Sequence, residues 1–181
     1  MMRLRHILPV LLGACVLGAL MNTTPTYDSV FKPMRSTAQG NASAQGRLLS
    51  AQLANWQTAD QITFERYGSL VTRDTQGVFL IVDVAVQDVQ ESLRLTATWQ
   101  GRSGRRYTQT ARVDSATTLN VRQFHPGLQD EGRAVFELPR DEITGGSLLL
   151  ARQGPNILDS ELELIPASSA NMQHSTLLRL Q

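Results

Sequence analysis

The stretch "GVFLIVDVAVQD", Gly77 to Asp88, decides the fold. Side chains alternate along a strand, so Val78, Leu80, Val82, Val84 and Val86 share one face. Phe79, Ile81, Asp83, Ala85 and Gln87 share the other. The first face is apolar throughout, while the second begins apolar and turns polar halfway. Five of the nine residues from Val78 to Val86 are β-branched, and such side chains crowd a helical turn. The pattern fits a central strand of an antiparallel sheet, buried on one face and half covered on the other. Asp83 is then expected as a solvated acid on the outer face. The competing reading is a carboxylate held out for catalysis.

Outward from this strand, short apolar-alternating segments are divided by turn residues, the signature of a sandwich. "RLLSAQLANW" (47–56) and "QITFERY" (61–67) precede it, with "TRDTQG" read as a turn. "SLRLTATWQ" (92–100) is the cleanest amphipathic strand, with Leu93, Leu95, Ala97 and Trp99 inward. "GRSGRR" makes a hairpin tip and "YTQTARV" (107–113) returns. After a longer connection come "RAVFELP" (133–139), "SLLLARQ" (147–153) and "SELELIP" (160–166). The expected fold is all-β: an immunoglobulin-like antiparallel β-sandwich of seven to eight strands, preceded by one N-terminal apolar helix. Cys15 is the single cysteine, so no intramolecular disulfide pins it.

The first residues carry Arg3 and Arg5, then an apolar run from Ile7 to Met21. Fifteen helical residues reach roughly 22 Å, short of a hydrocarbon core of about 30 Å. Three readings compete: a short uncleaved anchor with snorkelling arginines, a cleaved signal peptide, or a lipidated Cys15 in "LGAC". All three place the rest of the chain outside the cytoplasm, with the membrane reached through residues 7–21. The division expected is 1–21 signal sequence or short membrane anchor, 22–46 flexible linker, 47–166 sandwich, 167–181 tail. Within the linker, Val30 and Phe31 are candidates to dock on the domain. In the tail, Leu177, Leu178 and Leu180 are candidates for a last docked segment.

Net charge is +1, from 17 basic and 16 acidic residues mixed along the chain, so nothing there suggests nucleic acid, which wants a basic face or stripe, and no nucleic-acid partner is expected. Lys32 is the only lysine. The motifs "GSLVTRDTQGVFLIVDVAV", "GRSGRRYTQTARV", "HPGLQDEGRAVFELPRDEITGGSLLL" and "LDSELEL" resemble the telokin-like, immunoglobulin-type secreted or membrane-anchored domains of actinobacteria. That group includes the mycobacterial immunoprotective extracellular antigen and the domain-of-unknown-function families placed with it. The resemblance covers about 47–166 and implies an extracytoplasmic sandwich with no catalytic residues to carry over.

The residues themselves offer no catalytic set. His125 is the one histidine of the domain, and it sits before Pro126 in a turn. Ser103 lies at a hairpin tip, without the strand-to-helix turn of a nucleophile elbow. Asp130, Glu131, Asp141 and Glu142 are the acids a calcium ion would need, yet the EF-hand spacing is absent. No cofactor or metal is expected, and no enzymatic activity. Arg102, Arg105 and Arg106, with Arg112 nearby, gather at one hairpin. They are read either as a solvated tip that blunts an edge or as a docking point for an acidic partner or anionic headgroups. The function expected is a non-catalytic, membrane-tethered binding module, an accessory subunit of an envelope membrane-protein complex. The alternative is a secreted domain binding a small ligand or cell-wall glycan.

Overall fold

The computed structural model describes residues 4–23, 33–113, 117–154, 160–167 and 172–180. The chain divides into two units, Met1–Lys32 and Pro33–Gln181. The first holds helix α1, Leu4–Thr23, 20 residues long. On it Leu12, Val16, Leu17, Leu20 and Met21 are exposed, as is Cys15. Among the described residues, no helix is long and apolar enough to cross a membrane.

The second unit is a β-sandwich of ten described strands, more than the seven or eight expected. In chain order these are β1 (Met34–Gln39), β2 (Ser43–Gln45), β3 (Ser50–Arg66), β4 (Ser69–Gln87) and β5 (Leu95–Gln100). There follow β6 (Arg106–Thr108), β7 (Asp130–Leu138), β8 (Ser147–Arg152), β9 (Ser160–Ile165) and β10 (Gln173–Arg179). One sheet runs β1-β9-β8-β5-β6, and the other β10-β3-β4-β7 with β2 also paired to β3. A single 3-10 turn, Arg140–Glu142, joins β7 to β8.

The opening stretch is the centre of the second sheet. Val78, Leu80, Val82, Val84 and Val86 enter the main core between the sheets, against Leu95, Trp99, Phe136, Leu148 and Leu164. Phe79 and Ile81 enter a separate cluster on the other face, with Ile62, Phe64, Val135 and Leu180. Asp83 departs from the solvated acid expected. It lies opposite Arg133 of β7 and accepts a 2.6 Å hydrogen bond from its Nε. Its side chain is only 18% exposed, so the polar half of this face is closed by a cross-strand ion pair.

The expected boundaries also shift. Segments 47–56 and 61–67 fuse into β3, because irregularities at Leu53/Asn55 and Ala59/Gln61 absorb the breaks in alternation. "TRDTQG" is strand, not turn: Gln61 to Arg66 pairs with Asp74 to Ser69, and the reversal is at Tyr67–Gly68. Within the expected linker lie β1 and β2, and within the expected tail lies β10. Both β1 and β10 pair in parallel, with β9 and β3 respectively. Leu180 is buried and Leu178 packs in the second cluster, while Leu177 is exposed. Val30 and Phe31 lie outside the described residues.

The register gives the sandwich two distinct ends. Gln100 of β5 pairs with Ser147 of β8, and Leu148 with Leu164 of β9. The β5–β6 tip and the 3-10 turn therefore share the far end, and the Tyr67–Gly68 reversal lies on that side, beyond the last β4–β7 pair Val78↔Leu138. Since β1 runs parallel to β9, from Met34↔Ser160 to Gln39↔Ile165, the chain enters the sandwich at the opposite, near end.

Candidate functional site

The far-end hairpin between β5 and β6 carries the arginines singled out from sequence. Gly101 N–H donates to the Arg105 carbonyl at 2.8 Å and Gly104 N–H to the Gly101 carbonyl at 2.9 Å, closing the loop. Gly104 takes φ 83°, a conformation L side chains disfavour. Arg102, Arg105 and Arg106 are all exposed.

What holds this loop is an acid that sequence reasoning placed only among solvated loop residues. Glu142, at the end of the 3-10 turn, is buried. Its Oε1 accepts from Ser103 Oγ at 2.6 Å and its Oε2 from Ser103 N–H at 3.1 Å. A side chain at position 101 would collide with this carboxylate, which explains Gly101. The Glu142 carbonyl accepts from Trp99 Nε1 at 3.0 Å, so the fully buried indole anchors the backbone that positions the acid. The two Ser103 hydrogen bonds, and then the nearby Arg105 and Arg102 charges, hold the Glu142 carboxyl below its ordinary range. No sequence signal marks this contact, which joins residues 39 apart.

One carboxylate beneath three arginines leaves the tip cationic. Arg35, Arg112, Arg122, Arg133, Arg140 and Arg152 each pair with a carboxylate. Among the described residues, none of Arg102, Arg105 and Arg106 does so within ion-pair distance. The tip is thus an exposed positive cluster on a braced loop, able to attract and orient an anionic group.

The remaining candidates are scattered. Arg122 donates to Asp130 through Nε at 2.8 Å, and this pairing is the main cause holding the Asp130 carboxyl low and the Arg122 guanidinium high. Asp130 begins β7 and Asp141 follows its end, roughly 30 Å away along an extended strand. The four acids considered for calcium therefore do not meet. No group of three or more His, Cys, Asp or Glu among the described residues could hold a metal ion. His125 Nδ1 lies 3.0 Å from Ser92 Oγ, an exposed pair at the near end. A shallow groove of about 570 Å³ is bordered by Thr75–Gly77 and Glu137–Arg140, with no aromatic lining.

No family model and no curated protein matches the chain. Among solved structures it is similar to an uncharacterized beta-sandwich protein from Clostridium difficile 630, at 12% identity and TM-score 0.43, covering 73% of this chain and 95% of that one. It is also similar to the yjhA protein from Bacillus subtilis, at 12% identity and TM-score 0.47, covering 70% and 98%. A conserved hypothetical protein from Bacillus anthracis matches at 10% identity and TM-score 0.42, covering 65% and 89%.

Proposed function

We propose that this protein is a non-catalytic, membrane-tethered extracytoplasmic binding module, an accessory subunit of an envelope complex, that docks an acidic protein surface on Arg102, Arg105 and Arg106. The observation that carries this reading is the braced tip, with three exposed arginines on one loop and none in an ion pair among the described residues, while six other arginines each pair with a carboxylate. Exposed charges on an ordered loop steer association and lose little entropy on binding. Tethering is supported by the apolar run Ile7–Met21 within α1 and by the exposed Leu12, Val16, Leu17 and Leu20. The immunoglobulin-like, telokin-like character of the sandwich is part of this proposal. It is supported by the repeated crossings of the chain between sheets and by the parallel β1–β9 edge pair.

The test is affinity purification of the full chain from detergent-solubilised membranes, with intact-mass measurement of the purified protein. The expected result is one stoichiometric membrane protein, released as salt rises from about 0.1 to about 1 M and the Debye length shrinks from about 10 to about 3 Å. The mass should retain residues 1–21 or carry a lipid on Cys15. Recovery of the free monomer alone, or a mass showing removal of the N-terminal segment, contradicts the proposal.

A further inference from the structure

Beyond Val78, the pairing partner of Leu138, strand β4 has no paired strand on its β7 side among the described residues, although Thr75 still reaches Glu137. Pro139 ends β7, and proline has no N–H to continue a ladder. From Ser69 to Asp74, β4 pairs only with β3, as a hairpin closed by the two-residue turn Tyr67–Gly68 on Arg66↔Ser69. A two-residue turn makes its flanking pair a mutually hydrogen-bonded one. By alternation, Ser69, Val71 and Arg73 then direct N–H and C=O to β3, while Leu70, Thr72 and Asp74 direct theirs outward. The described backbone hydrogen bonds outside strand ladders include none for Leu70, Thr72 or Asp74.

Further features accompany this edge. Leu70 is 60% exposed and Tyr67 is 92% exposed. Tyr67 sits at φ 51°, where a bulky side chain is strained, with the Arg66 guanidinium 5.4 Å from its ring centroid. Aligned with the open edge is the 570 Å³ groove bordered by Gly77 and Pro139, in the line an added strand would follow. On the same flank β6 packs against β7, and β6 begins at Arg106, beside the unpaired Arg105.

We infer that the outer edge of β4, Leu70 to Asp74, accepts an extended acidic segment of a protein partner as an added strand. Backbone bonds at Leu70, Thr72 and Asp74 supply the ladder, Tyr67 and Leu70 a hydrophobic grip, and the β5–β6 arginines the charge complement. The inference rests on the docking role proposed for that tip and supplies its mode of recognition.

The test uses the full chain in detergent micelles and, as probe, a synthetic peptide of alternating Glu and Val, with a Lys–Val peptide as control. Amide hydrogen exchange is read residue by residue. The Glu–Val peptide should slow exchange at Leu70, Thr72 and Asp74 by about tenfold or more, and at no other edge. Thr72→Pro should abolish this protection, since proline removes the central outward donor. Tyr67→Asn places a residue suited to positive φ in the turn, so the hairpin stays folded while the peptide binds about fivefold more weakly. Perturbation at Arg105 and Arg106 without edge protection overturns strand addition and leaves the docking tip standing. Equal protection by the Lys–Val peptide overturns the acidic occupant and the docking reading with it. Protection that grows with protein concentration alone makes a second copy the occupant and overturns the inference. Binding of neither peptide overturns both proposals.

Discussion

Replacing Trp99 by alanine tests the packing that joins the core to the β5–β6 arginine loop. The indole is fully buried, stacked on Trp56 at 6.4 Å between centroids and tilted against Phe136 at 6.3 Å. A buried Trp removes some 150–250 Å² from water, which at about 25 cal/mol/Å² is worth roughly 4–6 kcal/mol. Alanine retains a little of this, and core Trp→Ala changes cost about 3–5 kcal/mol. The Glu142 carbonyl loses its donor as well, a further penalty of about 1–3 kcal/mol where water cannot replace it. Trp99→Phe separates the two effects, since it keeps most of the ring and removes only the N–H; it should cost about 1–3 kcal/mol. With an m-value near 2 kcal/mol/M, the urea midpoint of Trp99→Ala should fall by about 2–4 M, at unchanged m. A loss below about 1 kcal/mol, or a Trp99→Phe variant as unstable as the alanine one, would refute this reasoning.

Replacing Arg105 and Arg106 together by serine should shift stability by no more than about 0.5 kcal/mol in the same melt, because neither is in an ion pair. Asp83→Asn should cost about 1–3 kcal/mol, as it leaves the part-buried Arg133 without its charge-assisted partner; a double-mutant cycle with Arg133→Gln should show favourable coupling, and additivity would dissolve the pair. Acid should destabilise the fold through Glu142 and Asp130, both held low. Their contribution is complete above the unfolded carboxylate range of about 4 and is lost as pH falls through the folded values. Thermal midpoints from pH 7 to about pH 2 should therefore drop at the acid end, less steeply in Glu142→Gln, and equal slopes would contradict the Ser103–Glu142 brace.

What could be read from the sequence was whatever side-chain alternation encodes. Val78 to Val86, and Leu93 to Trp99, announce their inward faces because each inward side chain is apolar, and all of these are buried. Strands β1 and β2 escaped because MRSTAQ and SAQ are polar; their places are set by backbone ladders to β9 and β3, with only Ala38 and Ala44 buried. The break read at Thr72–Gly77 was an irregular stretch within one long strand, since Thr, Asp, Gln and Gly mark bulges as well as turns. At the site, clustered arginines near one glycine-rich tip were visible from spacing alone. The Glu142 brace was not, because it depends on a 3-10 turn being carried beside the hairpin by the β7–β8 crossing. The partner of Asp83 was hidden for the same reason: Arg133 lies 50 residues away, and only the β4–β7 register brings them together.

The docking surface proposed is the arginine tip at Arg102, Arg105 and Arg106. The measurement is photo-crosslinking in native membranes, with the full chain carrying a photoreactive residue at position 105 in one variant and at position 34, at the near end, in another. The expected result is one crosslinked membrane protein from position 105, joined through an acidic segment identified by peptide sequencing, and none of that protein from position 34. Equal crosslinking from both positions, or crosslinks from position 105 to lipid alone, would contradict it.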